Sequence, residues 1–181
     1  GLRTQRSPAR VSVSFFDVIF CSGQSVIIGT ATTAGYGYSW SPSTGLSNST
    51  ISDPSITLNN PTSLNDTLNY IVTVNAFGCF DTDTLTIIVM PLPISVAGPD
   101  ITLCGSDTLT IGSSQVTGYN YLWTPSTGLN NVTISNPVAT VINNGTGATT
   151  ITYTVNTTFN GCSSSDSITI TVNPQPIVTA S

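Results

Sequence analysis

The chain has 181 residues, of which eight are Asp and three are Arg, with no Lys, Glu or His, giving a net charge of −5. Its only cations, Arg3, Arg6 and Arg10, lie in the first ten positions, so the rest has no basic patch to neutralise phosphates, and a nucleic-acid partner is excluded. Catalysis would have to run on Asp, Tyr, Ser and Thr alone, the residues that remain for moving protons or holding charge.

In chain order, residues 1–10 read as a flexible basic tail. Alternating Thr, Val, Ile and Tyr then predict strands near 11–14, 25–30, 35–41, 55–58, 67–75 and 83–90. Turn signals separate them: Ser22-Gly23, Pro42 to Gly45, Asp53-Pro54, and Phe77-Gly78-Cys79. No segment shows a helical period, and no apolar run approaches the ~20 residues of a membrane helix. Membrane insertion is therefore not expected.

The same set of elements recurs 83 residues later. Cys21, Trp40, Pro54, Tyr70, Gly78, Cys79 and Asp83 return as Cys104, Trp123, Pro137, Tyr153, Gly161, Cys162 and Asp166, and 32 of 78 aligned residues are identical. Short strands at this spacing predict an all-β fold of two tandem immunoglobulin-like β-sandwich domains. The first repeat spans 11–93 and the second 94–176. Residues 177–181 would start a third repeat or form a C-terminal extension. Pro91-Leu92-Pro93, repeated as Pro174-Gln175-Pro176, predicts a semi-rigid linker followed by a strand at the start of each module, with 94–97 the counterpart of 11–14.

Four cysteines allow three disulfide connectivities. Cys21 to Cys79 and Cys104 to Cys162 have the same spacing, so pairing within each repeat respects the duplication. Closing such long loops would stabilise each module by about 4 kcal/mol and implies an oxidising compartment. Zinc is disfavoured, since there is no CxxC and no His. No metal and no cofactor is expected.

Period two predicts the core faces. Leu85, Ile87 and Val89 point inward, as do Tyr70 and Val72, with Ile168, Ile170, Val172, Tyr153 and Val155 repeating them. Tyr36, Tyr38 and Trp40 form an aromatic row, matched by Tyr119, Tyr121 and Trp123. Such a row can be a sugar platform, and here it is read as core with hydroxyls at the rim.

Asp81 and Asp83 could act as an acid–base pair, but only Asp83 recurs; Asp81 becomes Ser164. Asp17 and Asp100 hold equivalent places at the module junction, and one carboxylate per junction is a poor calcium set. Both sites are read as turn chemistry, and the chain as not an enzyme. Three positions expected to face outward carry Ile27, Ile71 and Ile88 in the first repeat and Thr110, Thr154 and Thr171 in the second. Ile71 and Ile88, expected side by side, form a candidate assembly face.

The run from Gly35-Tyr36-Gly37-Tyr38-Ser39-Trp40 through Ser41-Pro42-Ser43-Thr44-Gly45-Leu46, with Ile51-Ser52-Asp53-Pro54, Gly78-Cys79, Pro91-Leu92-Pro93 and Ala97-Gly98-Pro99-Asp100, carries a resemblance. It resembles the Ig-like and PKD-like repeats of large Bacteroidota cell-surface proteins, including gliding-motility adhesins of the type IX secretion system. Ser14-Phe15-Phe16-Asp17 departs from the Ala-Gly-Pro-Asp that precedes the second module. The resemblance implies O-glycan acceptors in Asp-Ser/Thr-aliphatic motifs, at Thr67, Thr84, Thr108 and Ser167. It further implies a secreted, extracellular cell-surface location and a non-enzymatic adhesin or stalk segment. Its partners would be other modules of the same long chain or identical subunits, with surface glycans or proteins as ligands. A self-assembling filament subunit and a spacer beside an exported enzyme are the alternatives.

Overall fold

A computed structural model describes residues 17–176. The basic tail, the strand expected over 11–14 and the third-repeat start over 177–181 lie outside the described residues. The chain divides between Pro91 and Leu92, and each unit is an immunoglobulin-like β-sandwich. The division falls two residues before the end of Pro91-Leu92-Pro93. Pro93 is buried and its carbonyl accepts a 2.6 Å hydrogen bond from Ser164 Oγ, which ties it to the second module.

Module one contains β1 (Val18–Cys21), β2 (Ser25–Ile27), β3 (Tyr36–Ser41), β4 (Ser55–Thr57), β5 (Asp66–Ala76) and β6 (Cys79–Met90). Module two repeats them as β7 (Ile101–Cys104), β8 (Asp107–Thr110), β9 (Asn120–Thr124), β10 (Val138–Val141), β11 (Thr149–Phe159) and β12 (Cys162–Asn173). In each, a four-stranded sheet, ordered β1-β6-β5-β3 or β7-β12-β11-β9, faces a two-stranded sheet, β2-β4 or β8-β10. All neighbours are antiparallel except the first strand, which runs parallel to the last.

The inward residues of these strands make the core. Phe20, Ile28, Trp40, Ile56, Tyr70, Val72, Leu85, Ile87 and Val89 are buried together in module one. Ile111, Trp123, Ala139, Tyr153, Val155, Ile168, Ile170 and Val172 do the same in module two. Each large side chain of this kind stabilises by about 1.5–3 kcal/mol when fully buried. Of the aromatic row in module one, Trp40 is buried in the core, and Tyr36 and Tyr38, partly buried, pack against that cluster.

The β5–β6 hairpin closes at Ala76 opposite Cys79. Its two turn residues, Phe77 and Gly78, have φ of 52° and 81°, the signature of a two-residue primed turn. Because the turn is this tight, pairing starts at Cys79, so β6 is longer than the predicted strand over 83–90.

The strand expected over 94–97 is absent; β7 begins only at Ile101. Pro93 and Pro99 lack amide donors, Gly98 takes a φ of 103°, and the Ala97 amide donates to Asp166 Oδ2 at 2.8 Å rather than to a ladder carbonyl.

Candidate functional site

The cysteines define the two poles of each module. Cys21 ends β1 and stands opposite Met90, the last residue of β6. Cys79 is the first residue of that 12-residue strand. At ~3.3 Å per residue, the two lie roughly 35 Å apart, whereas a disulfide requires Cα atoms within about 7 Å. The second module is built alike, with Cys104 opposite Asn173 at one pole and Cys162 at the start of β12. The within-repeat pairing is therefore corrected. Cys79 and Cys104 are exposed free thiols, and the two cysteines in disulfide linkage are Cys21 and Cys162. Cys21 is 7% exposed and Cys162 1% exposed, so equivalent positions differ in burial as well as in redox state.

The hairpin pole of module one is apolar. Phe77 and Phe80, flanking Cys79, are 92% and 69% exposed. Phe77 occupies the left-handed region, where a bulky side chain is strained. Module two has Asn160 and Gly161 in the same turn, and Ser163 in place of Phe80.

The candidate assembly face lies on the outer side of the four-stranded sheet. Ile71 is exposed and Ile88 half-buried. They are not side by side: Ile71 stands opposite Thr84 and Ile88 opposite Thr67, four residues apart along the strands. The actual neighbour of Ile88 is Ile19 on β1, itself exposed. Ile19 was not singled out in the sequence. Its signal was the same Ile-to-Thr exchange, since Thr102 replaces it in module two.

The four hydroxyls in the Asp-Ser/Thr motifs, Thr67, Thr84, Thr108 and Ser167, are all exposed. Asp83 and Asp107 each accept a hydrogen bond from the following amide, at Thr84 and Thr108. Ser167 Oγ lies 2.8 Å from Thr154 Oγ1. Asp17 and Asp100 accept from the amides of Thr86 and Thr169, pinning the start of each module to its last strand. Among the described residues, no three His, Cys, Asp or Glu side chains gather to hold a metal, and no helix is long and apolar enough to cross a membrane.

A cavity of about 390 Å³ opens in module two between Gly128, Val141, Ile151 and Tyr153. Leu58 and Leu68 replace Val141 and Ile151 in module one. The Tyr153 hydroxyl is already donated to the Thr127 carbonyl at 2.6 Å, and burial pushes its pKa up.

No family model matches the chain, and no curated protein does. The solved structures with which it aligns include tandem domains of titin. A titin I-band fragment, I67–I69, aligns with a TM-score of 0.37 at 14% identity, over 90% of this chain and 64% of the fragment. The titin Z1Z2 domains in complex with telethonin align with a TM-score of 0.36 at 11% identity, over 90% of this chain and 94% of theirs. A SusE-like, surface-located polysaccharide-binding protein of Bacteroides thetaiotaomicron aligns with a TM-score of 0.43 at 10% identity, over 88% of this chain and 33% of that one. The chain spans less than two thirds of the I-band fragment and a third of the polysaccharide-binding protein.

Proposed function

We propose that this chain is a non-enzymatic, extracellular repeat segment of a cell-surface adhesin or stalk, of the Bacteroidota repeat type its motifs resemble. The observation that carries the reading is the polarity of each module. In module two, Pro93, Ala97 and Asp100 bond Ser164, Asp166 and Thr169 in turn along β12, and β7 continues parallel to it, so the chain comes in from the hairpin side and leaves at the opposite pole after Asn173. In module one, β1 runs parallel to the last four residues of β6, Ile87 to Met90. A module with inlet and outlet at opposite poles is suited to repetition end to end. The disulfide linkage of Cys21 and Cys162 supports an oxidising location. Thr67, Thr84, Thr108 and Ser167 are the proposed O-glycan acceptors, with hydroxyls open to a transferase.

Electron microscopy of the protein released from its native cell surface, paired with intact chain mass, tests the reading. Beaded rods made of one long chain support it. Filaments of many short chains overturn it in favour of a subunit that self-assembles through the Ile19, Ile71 and Ile88 surface.

A further inference from the structure

β6 has one edge fully paired and one edge half used. β5 pairs with it from Cys79 to Val89. On the other side β1 pairs with it only from Ile87 to Met90. Among the described residues, no strand takes that edge between Cys79 and Thr86. An open row of backbone amides and carbonyls is a template for another stretch of chain.

Module two shows what such an edge accepts. β7 pairs with β12 only from Ile170 to Asn173, and residues 93–100 run along the earlier part as a strap held by side chains. Ser164 Oγ donates to the Pro93 carbonyl at 2.6 Å and lies 2.7 Å from Ser95 Oγ. The Ala97 amide donates to Asp166 Oδ2 at 2.8 Å, and the Thr169 amide donates to Asp100 Oδ1 at 2.8 Å. Pro93 and Ala97 are buried.

The 83-residue repeat sets residues 10–17 against β6 in the same register. The last anchor is in place, since the Thr86 amide donates to Asp17 Oδ1 at 3.2 Å. Ser12 and Asp83 keep the residue types of Ser95 and Asp166. The far end is exchanged on both sides: Asp81 stands for Ser164, and Arg10 stands for Pro93. A carboxylate has no proton to donate to a carbonyl, so Asp81 cannot repeat the bond that Ser164 makes. The residue in register with it has become one of the chain's three cations. A guanidinium meets a carboxylate through two parallel hydrogen bonds, so the two exchanges together replace the bond that Asp81 alone would lose.

We propose that residues 10–16 of this chain occupy the open edge of β6, with the Arg10 guanidinium paired to the Asp81 carboxylate. The Ser12 hydroxyl donates to the same carboxylate. Asp83, which accepts the Thr84 amide at Oδ1, takes the Ser14 amide as Asp166 takes that of Ala97. Phe15 stands where Gly98 has a φ of 103°, a conformation that a bulky residue avoids, so the strap turns by another route between Asp83 and Thr86. The basic tail then ends at residue 9, and module one has the same inlet as module two. An adhesin segment and a filament subunit would need the same strap.

Trypsin tests the placement, because Arg3, Arg6 and Arg10 are the chain's only cleavage sites. Mass spectrometry of the native chain under brief digestion should show cutting after Arg10 at least tenfold slower than after Arg6. Asp81→Ala should remove that protection and Asp81→Glu should keep it. Equal cutting at the two sites overturns the proposal, and protection that survives Asp81→Ala overturns the ion pair. Cross-linking gives a second reading that does not depend on the pair. In a Cys79→Ser, Cys104→Ser background, Ser12→Cys with Asp81→Cys should close a disulfide within one chain under oxidised glutathione. It should form at least tenfold faster than Ser7→Cys with Asp81→Cys, which lies out of register. Equal rates would mean an unplaced tail, and cross-links found in dimers would give the edge to a second copy; either result sinks the strap.

Discussion

Thr157 Oγ1 is buried on β11 without a hydrogen-bond partner, where module one places Val74. A buried hydroxyl left unpaired costs about 1–3 kcal/mol. Thr157→Val should therefore raise stability by about 1 kcal/mol, seen as a higher urea midpoint with an unchanged slope. Phe77→Asn should stabilise by a similar ~1 kcal/mol by relieving the left-handed strain, and a midpoint that does not move would show the turn to be unstrained. Tyr70 and Tyr153 each donate to a loop carbonyl, at Thr44 and Thr127, and burial raises both pKa values. A phenol whose folded pKa is raised contributes stability that is fully present below its unfolded value near 10. That stability is lost as pH rises through the folded value. Unfolding midpoints should fall above about pH 10, and less steeply in the Tyr70→Phe, Tyr153→Phe double variant. Asn60 and Asn143 were not legible in the sequence. Each is buried in a polar loop and donates its side-chain amide to the carbonyl of the last strand, at Val89 or Val172. An Asn among Asn, Thr and Gly looks like any turn residue until the opposing carbonyl is known.

At the level of strands, period two gave away the core because each strand buries one face against a single partner sheet. Boundaries were less visible. β6 is longer than its apolar stretch because a ladder needs only backbone amides and carbonyls, which Asp81 and Thr82, near the exposed hairpin end, supply opposite Val74 and Thr73. β7 starts late because prolines, which have no pattern of their own, decide where a ladder can begin. Sheet register corrected the Ile71 and Ile88 pairing for a related reason: composition says which face a residue takes, and only the turn says what stands opposite. The small sheet depends on close approach. A Cβ on Gly112 would sit 2.1 Å from the Ser135 carbonyl oxygen, at a φ of 86°. Gly112→Ala should cost roughly 3 kcal/mol, measured by urea unfolding; a loss below 1 kcal/mol would show that the β8 end can move aside.

For the whole chain, the repeat was readable at once, and with it the fold of each unit. The cysteine connectivity was not, because spacing along the sequence says nothing about which end of a strand a residue occupies. The parallel β1–β6 pairing decided it, since it places Cys21 beside Met90, at the far end of β6 from Cys79. Replacing Ile19, Ile71 and Ile88 with Thr, as module two has at the equivalent positions, should leave the circular dichroism and unfolding midpoint nearly unchanged. Sedimentation should then show whether any self-association is lost. Mass added to the peptides that carry Thr67, Thr84, Thr108 and Ser167 in material from the native cell surface, and lost when all four are substituted together, would establish the glycan acceptors.

The same parallel pairing has a mechanical consequence. When the two termini of a module are pulled apart, β1 is dragged toward the hairpin side and β6 toward the other. The register pairs from Val18–Ile87 to Cys21–Met90 are then loaded together in shear. They would give way as a group at one force, where an antiparallel pair pulled from the same end would open one rung at a time. A single-molecule stretching trace should accordingly show each module holding until it yields abruptly, the behaviour of a tether that keeps its length under drag.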